Sequence, residues 1–158
     1  MATKTQTRTD AVQILKQDHE KVKSLFRKFS ETGDGALKTR QRLAEQIFEE
    51  LALHTRVEEE IFYPAVRKAT DEEGAELLDE AEEEHHVVDL IIAELKQMDP
   101  SHEHYAAKMT VLCENVEHHI KEEEDEMLPD AQKRIGDLME TLGQQILEMK
   151  RSDKSLAQ

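Results

Sequence analysis

Two stretches of the chain share one skeleton. HTRVEEEIFYP from His54 and HIKEEEDEMLP from His119 each carry a His, a Glu four residues later and a Pro ten residues after the His. On an α-helix an i, i+4 step turns the side chain by only about 40°. His54 with Glu58, and His119 with Glu123, therefore project from one face, as a pair of metal ligands does. The upstream segments repeat too. QDHEKVKSLFRKF around His19 aligns with EEHHVVDLIIAEL around His85, with Asp18/Glu84, Val22/Val88, Leu25/Ile91 and Phe29/Leu95 in matching places. His19 to His85 is a step of 66 residues and His54 to His119 a step of 65. A half of this length used twice reads as a duplicated helix pair.

Hydrophobic periodicity supplies the helices. The first starts near Asp10, a plausible N-cap, and runs to about Ser30, with Val12, Leu15, His19, Val22, Phe26 and Phe29 on its inward stripe. After the Gly33-Asp34-Gly35 break, the second carries Leu43, Ile47, Leu51, His54, Glu58, Ile61 and Ala65 at three- and four-residue steps. The third begins after Thr70-Asp71 and presents Leu78, Ala81, His85, Val88, Ile92 and Leu95. Asp99-Pro100-Ser101 stops it and can cap the fourth, which presents Met109, Leu112, Val116, His119, Glu123 and Met127. A short fifth helix from about Asp137 to Arg151 is placed to cover one end. Pro64 and Pro129 fall inside helical patterns, where a missing backbone donor bends or ends the helix nearby.

Short connections make sequential helices antiparallel, so the fold class is all-α, an up-down-up-down four-helix bundle with a fifth helix. His19 lies 14 residues before Gly33 and His54 19 after Gly35, while His85 lies 15 before Pro100 and His119 18 after Ser101. At about 1.5 Å per residue, all four histidines fall within roughly two turns of one level. The bundle is expected to span residues 10–151, between a flexible N-terminus (1–9) and a flexible tail (152–158).

Composition agrees. At 158 residues, with 36% charged and 4% aromatic side chains and little Gly or Pro, the chain suits one helical domain. A net charge of −15 excludes a phosphate-binding face for nucleic acid, and no Lys/Arg cluster or long apolar run marks a membrane. One cysteine, Cys113, and no secretory signal point to a reducing cytoplasm.

Six polar side chains, His19, His54, Glu58, His85, His119 and Glu123, thus occupy slots that the pattern otherwise gives to Leu, Ile, Val, Phe and Met. Unpaired buried carboxylates cost several kcal/mol each, and neighbouring ones repel. Cations resolve the conflict: two divalent metals can take imidazoles as terminal ligands and carboxylates as bridges. The donor mixture suits non-haem iron, our first choice, or manganese better than a closed zinc site. A ferritin-like site needs Glu-x-x-His motifs on two helices. Here only Glu82/His85 and Glu83/His86 have that spacing, both on one helix.

Around this set, His86 and His118 stand one step off the stripe, about 100° away, in exposed or supporting positions. His102 and His104 read as solvated. The runs Glu58-Glu59-Glu60, Glu82-Glu83-Glu84 and Glu122-Glu123-Glu124 read mostly as solvated faces, Cys113 and the methionines as packing atoms, and Tyr63 as a boundary residue rather than a phenol reaching the metals.

DHEKV, HTRVE, EHHVV and HIKEE, one per helix, resemble the hemerythrin-like, HHE cation-binding family over approximately residues 10 to 150. The resemblance implies a four-helix bundle with an oxo- or hydroxo-bridged di-iron centre, manganese or zinc being possible substitutes. By position, His19 and His54 would hold one iron and His85 and His119 the other, with Glu58 and Glu123 bridging. It also implies a small-molecule partner: dioxygen, nitric oxide or peroxide. The oxygen-carrying members have a fifth histidine four residues after the third-helix histidine, where this chain has Asp89. Each iron then lacks a ligand unless Asp89, Tyr63, another Glu or water supplies it, which favours turnover over simple carriage. Two functional readings follow. One is a binding or sensing protein; the other is an enzyme that removes peroxide or nitric oxide or repairs iron centres. The repair relatives carry an N-terminal cysteine-bearing segment not found in this chain.

Overall fold

The computed structural model describes residues 10–156, with side chains through Asp153. The segment 1–9 and the last two residues lie outside the described residues, so the expected flexibility of the N-terminus falls there. Among the described residues there is no strand.

Helix α1 (Ala11–Ser30) opens on Asp10, whose carboxylate accepts hydrogen bonds from the Val12 and Gln13 amides, and Arg27 and Lys28 lie in its last turn, favourable to the helix dipole. Helix α2 (Leu37–Val57) follows the glycine turn. Helix α4 (Glu72–Lys96) starts at Asp71, which accepts from the Gly74 amide, and α5 (Tyr105–Glu122) follows the Asp99 turn. Helices α1 and α2 pack together, as do α4 and α5, giving the expected antiparallel bundle.

The two prolines neither end their helices nor only bend them. Each is preceded by a π-helical turn, Glu58–Phe62 and Glu123–Met127, after which helix resumes as α3 (Tyr63–Arg67) and α6 (Leu128–Ile135). The carbonyls four residues before Pro64 and Pro129 have no proline N–H to receive. The chain instead closes bonds five residues back: the Tyr63 amide donates to the Glu58 carbonyl and the Leu128 amide to the Glu123 carbonyl.

After a single 3-10 turn (Gly136–Leu138), α7 (Met139–Leu156) is longer than expected. It begins two residues later and ends five later than the sequence pattern implied, taking in part of the expected flexible tail. Helix α7 packs against α1, α2 and the π turn Glu58–Phe62, and its Met139, Leu142 and Ile146 join the apolar cluster that closes one end of the core. A second apolar cluster, from Val22 and Leu25 to Val116 and Ile120, fills the other end. Between the two clusters lies a polar layer.

Candidate metal centre

All six expected residues occupy that layer, and all are buried: Glu58 is 0%, Glu123 1% and His19 1% exposed, with His54, His85 and His119 under 9%. One ligand atom each from His19, His54 and Glu123 lies within 4.8 Å of the others, and Glu58, His85 and His119 form a second such group. The imidazole rings pair within each half of the molecule, His19 with His54 at 4.9 Å between centroids and His85 with His119 at 4.7 Å. The carboxylates span the halves. Glu58 Oε1 is 2.7 Å from His54 Nε2 and 3.6 Å from His85 Nε2, while Glu123 puts Oε1 3.2 Å from His19 Nε2 and Oε2 3.1 Å from His119 Nε2.

The outer nitrogen of every ring faces a carboxylate. His54 Nδ1 is 3.0 Å from Asp18, His85 Nδ1 2.9 Å from Glu59, His119 Nδ1 3.0 Å from Glu84, and His19 Nδ1 a looser 3.5 Å from Glu124. An acceptor on Nδ1 fixes the proton there and turns the Nε2 lone pair inward, the arrangement that metal-ligating histidines use. The duplication repeats here: Asp18 and Glu84 each precede a site histidine, and Glu59 and Glu124 each follow a site glutamate. Reading the glutamate runs as mostly solvated therefore needs correction at Glu59, Glu84 and Glu124. Their stripes point outward, but their carboxylates fold back over the neighbouring helix to the rings.

Inward, the Nε2 atoms of His85 and His119 face each other at 3.1 Å. Both Glu58 oxygens, Glu123 Oε1, His54 Nε2 and both His19 nitrogens are buried without a hydrogen-bond partner. Converging lone pairs without donors are unstable unless a cation, or protons, sit among them. Protons partly answer. Burial pushes the His54 imidazole down, but Glu58 and Asp18 outweigh it and hold it up to about 10. At His119 burial is likewise overcome by Glu123 and Glu84, which raise it to about 11. Glu58, despite its burial, stays well below the usual carboxylate range beside His54. A cluster that holds protons this tightly offers the same lone pairs to a divalent ion, and the donor set of imidazoles and carboxylates fits one.

Tyr63 was read as a boundary residue and is not one. Its phenol is buried, donates to Glu123 Oε2 at 2.6 Å and lies 3.5 Å from His85 Nε2. Burial, reinforced by Glu123 and Glu58, raises its pKa well above normal, so it stays a donor. On regular α geometry Tyr63 would stand about 140° from Glu58. The π turn adds a residue to that turn and brings it back under Glu58. Asp89, by contrast, is exposed on α4. His86, His102 and His104 are exposed as expected. Half-buried Cys113 has its thiol pushed up to about 12 by burial and Glu117, in keeping with a packing role.

On the histidine side of the layer lies a small cavity, about 20 Å³ open to the centre of a water-sized molecule. The four site imidazoles form its floor and Val22, Leu51, Val88, Val116 and Ile120 line its apolar walls. That is room for a guest of one or two heavy atoms.

Residues 10–131 match the family described as Hemerythrin HHE cation binding domain. The chain belongs to this family. An uncharacterized hemerythrin-like protein of Schizosaccharomyces pombe is 28% identical over 121 residues, 77% of this chain and 59% of that protein. A Nostoc protein named DNA nickase is 30% identical over 115 residues, 70% of this chain and 30% of its own length. The chain thus matches less than two thirds of either curated relative. The crystal structure of a hemerythrin HHE cation binding domain-containing protein from Mycobacterium kansasii superposes with a TM-score of 0.77 at 27% identity, covering 92% of this chain and 88% of that one. The six candidate ligands all fall within the matched residues 10–131.

Proposed function

We propose that this hemerythrin-like domain holds two iron ions, one on His19 and His54 and one on His85 and His119, with Glu58 and Glu123 between them, and acts on dioxygen, nitric oxide or peroxide. The observation that carries the reading is the pair of buried, facing triads whose free lone pairs converge while three of the four rings are anchored from behind. Bound there, an iron pair supplies Lewis-acid and redox chemistry toward such molecules. The chain does the rest. Asp18, Glu59 and Glu84 orient three of the rings, and the two clusters exclude bulk water. The apolar walls of the cavity admit a small, weakly hydrated guest beside the imidazoles.

Between binding and turnover, one observation favours turnover. The side chain standing beside His85 is the Tyr63 phenol, an oxygen donor that carries a proton already shared with Glu123. Asp89 points elsewhere. Loading the purified protein with iron, counting metal per chain and following the visible spectrum after oxygen, peroxide or nitric oxide tests the proposal. About two irons per chain and a spectrum that responds to at least one of these molecules are expected. One tightly held zinc, with no iron-dependent absorption, would overturn it. Manganese at two per chain would keep the site and change the metal.

A further inference from the structure

Outside the buried layer, the groove between α4 and α5 opens into an acidic basin lined by Asp79, Glu80, Glu83, Glu84, His118 and Glu122. A narrow cleft beside it is lined by Leu77, Ala81 and Met127 together with Glu84, Glu122, Glu126, His119 and buried Glu123. Glu84 and Glu122 belong to both. At the mouth, His118 Nε2 is 3.1 Å from Glu122 Oε1 and 3.8 Å from Glu84 Oε2, and one ligand atom from each of the three lies within 4.8 Å of the others. Donors each about 2.1 Å from one ion stand about 3–4 Å apart, a spacing that both His118 distances match. Glu84 also touches the buried centre, since its Oε1 accepts from His119 Nδ1.

The internal duplication provides the control. In the other half, His118, Glu122 and Glu126 correspond to Leu53, Val57 and Ile61, and Asp79, Glu80 and Glu83 to Gln13, Ile14 and Gln17. That face is apolar along α2 and free of acid: Val57 and Ile14 are buried under the neighbouring helices, and Gln13 and Gln17 are exposed but uncharged. The counterpart of Glu84, Asp18, pairs with Lys150 of α7. One flank is therefore sealed by a helix and neutralised by a lysine, and the other is open, acidic and fitted with an imidazole. The cleft also reaches Glu123, whose Oε2 faces His119 while its unpartnered Oε1 turns to His19.

We infer that Glu84, His118 and Glu122 form a divalent-cation capture site that loads the buried centre through the α4/α5 flank. The role in loading rests on the di-iron reading above; the capture site itself does not. A hydrated ion is drawn in by the acidic rim, exchanges waters for His118 and Glu122, and passes along carboxylates that line both spaces. Acidic clefts of this kind raise association rates by about 10- to 1,000-fold.

The test uses the full chain in two arms. With the buried centre first filled with iron, manganese(II) is titrated and its free-ion EPR signal followed; one manganese per chain is expected, lost in His118→Ala and kept in His102→Ala. In the second arm the protein is stripped, then mixed with iron(II) without oxygen. His118→Ala is expected to load tenfold slower or more and to reach the same final iron content, with His102→Ala matching wild type. No manganese on the iron-filled protein, or a His118→Ala loading rate equal to wild type, overturns the inference while leaving the buried centre intact. A wild-type chain that binds manganese through His118 but never takes iron into the core sinks the di-iron reading and the loading role together. His118 is exposed, so its truncation leaves folding unharmed, which an unchanged thermal melt verifies.

Discussion

Three adjacent glutamates, Glu58, Glu59 and Glu60, do three different jobs. Glu58 lies between the two triads, Glu59 anchors His85 from behind, and Glu60 is exposed and pairs with Arg56. Alanine at 58 should therefore drop iron below about one per chain, since a shared donor is lost. Glu59→Gln should weaken metal affinity by about 10- to 100-fold, the usual cost of removing a ring's supporting acceptor. Glu60→Ala should change nothing. Metal content after dialysis against a graded chelator ranks the three, and equal losses would mean the helix phase is wrong. Tyr63→Phe removes a buried donor to a carboxylate; it should slow peroxide or nitric oxide turnover and alter the visible spectrum of the iron form. An unchanged spectrum and rate would confine the phenol to packing.

Protons compete with metal at the same atoms. Glu58 and Glu123, with Asp18 and Glu84 behind, hold His54 and His119 at about 10 and 11 against the burial that opposes them, whereas the unfolded chain titrates near 6.5. In stripped protein this stabilisation is complete below pH 6.5 and is lost as pH rises through 10 and 11. Metal needs the neutral rings. Loading at pH 7.5 should thus release about two protons per chain, and the melting-temperature gain from iron should widen between pH 6.5 and 9. Calorimetry in buffers of different ionisation heat measures the release; none would show the rings neutral already.

Among the elements, the π turns and α7 matter most. Each π turn sits directly on a site glutamate, and at Tyr63 it decides which side chain faces inward. Helix α7 stabilises one end of the core. Ile146 is fully buried, so Ile146→Ala should cost about 2–5 kcal/mol and lower the melting temperature by on the order of 10 °C. Leu138, exposed in the preceding turn, should tolerate alanine within about 0.5 kcal/mol. Similar losses at both positions would mean that α7 does not dock as described.

Across the whole molecule, a duplicated scaffold has been made unequal. Its first half is covered by α7, whereas beside its second half an acidic basin opens to solvent, so a buried centre with near twofold symmetry has unlike flanks. The polar layer divides the core into two apolar clusters that cannot merge without expelling the six candidate ligands. Stripping metal should therefore destabilise the whole bundle: a ligand at a thousand times its dissociation constant adds about 4 kcal/mol to the native state. Equal melting temperatures for stripped and loaded protein at pH 9 would contradict this. No helix among the described residues is long and apolar enough to cross a membrane.

The six polar positions in the bundle were legible in the sequence because helical periodicity is a local property. A His or Glu in a slot due to Leu announces its own burial, and the repeat of 65 or 66 residues places both halves at one depth. The N-cap at Asp10 was visible for the same reason. What escaped depended on partners distant in sequence. Asp18 reaches His54 and Lys150, Glu84 reaches His119, and Glu59 reaches His85, across helices whose relative rotation no single helix encodes. The inward placement of Tyr63 was not legible because the missing amide of Pro64 allows a turn wider than helical periodicity implies. Likewise the repeat showed that the halves match, but only the docking of α7 decided which flank would be sealed, since that choice lies in packing between elements and not within any one of them.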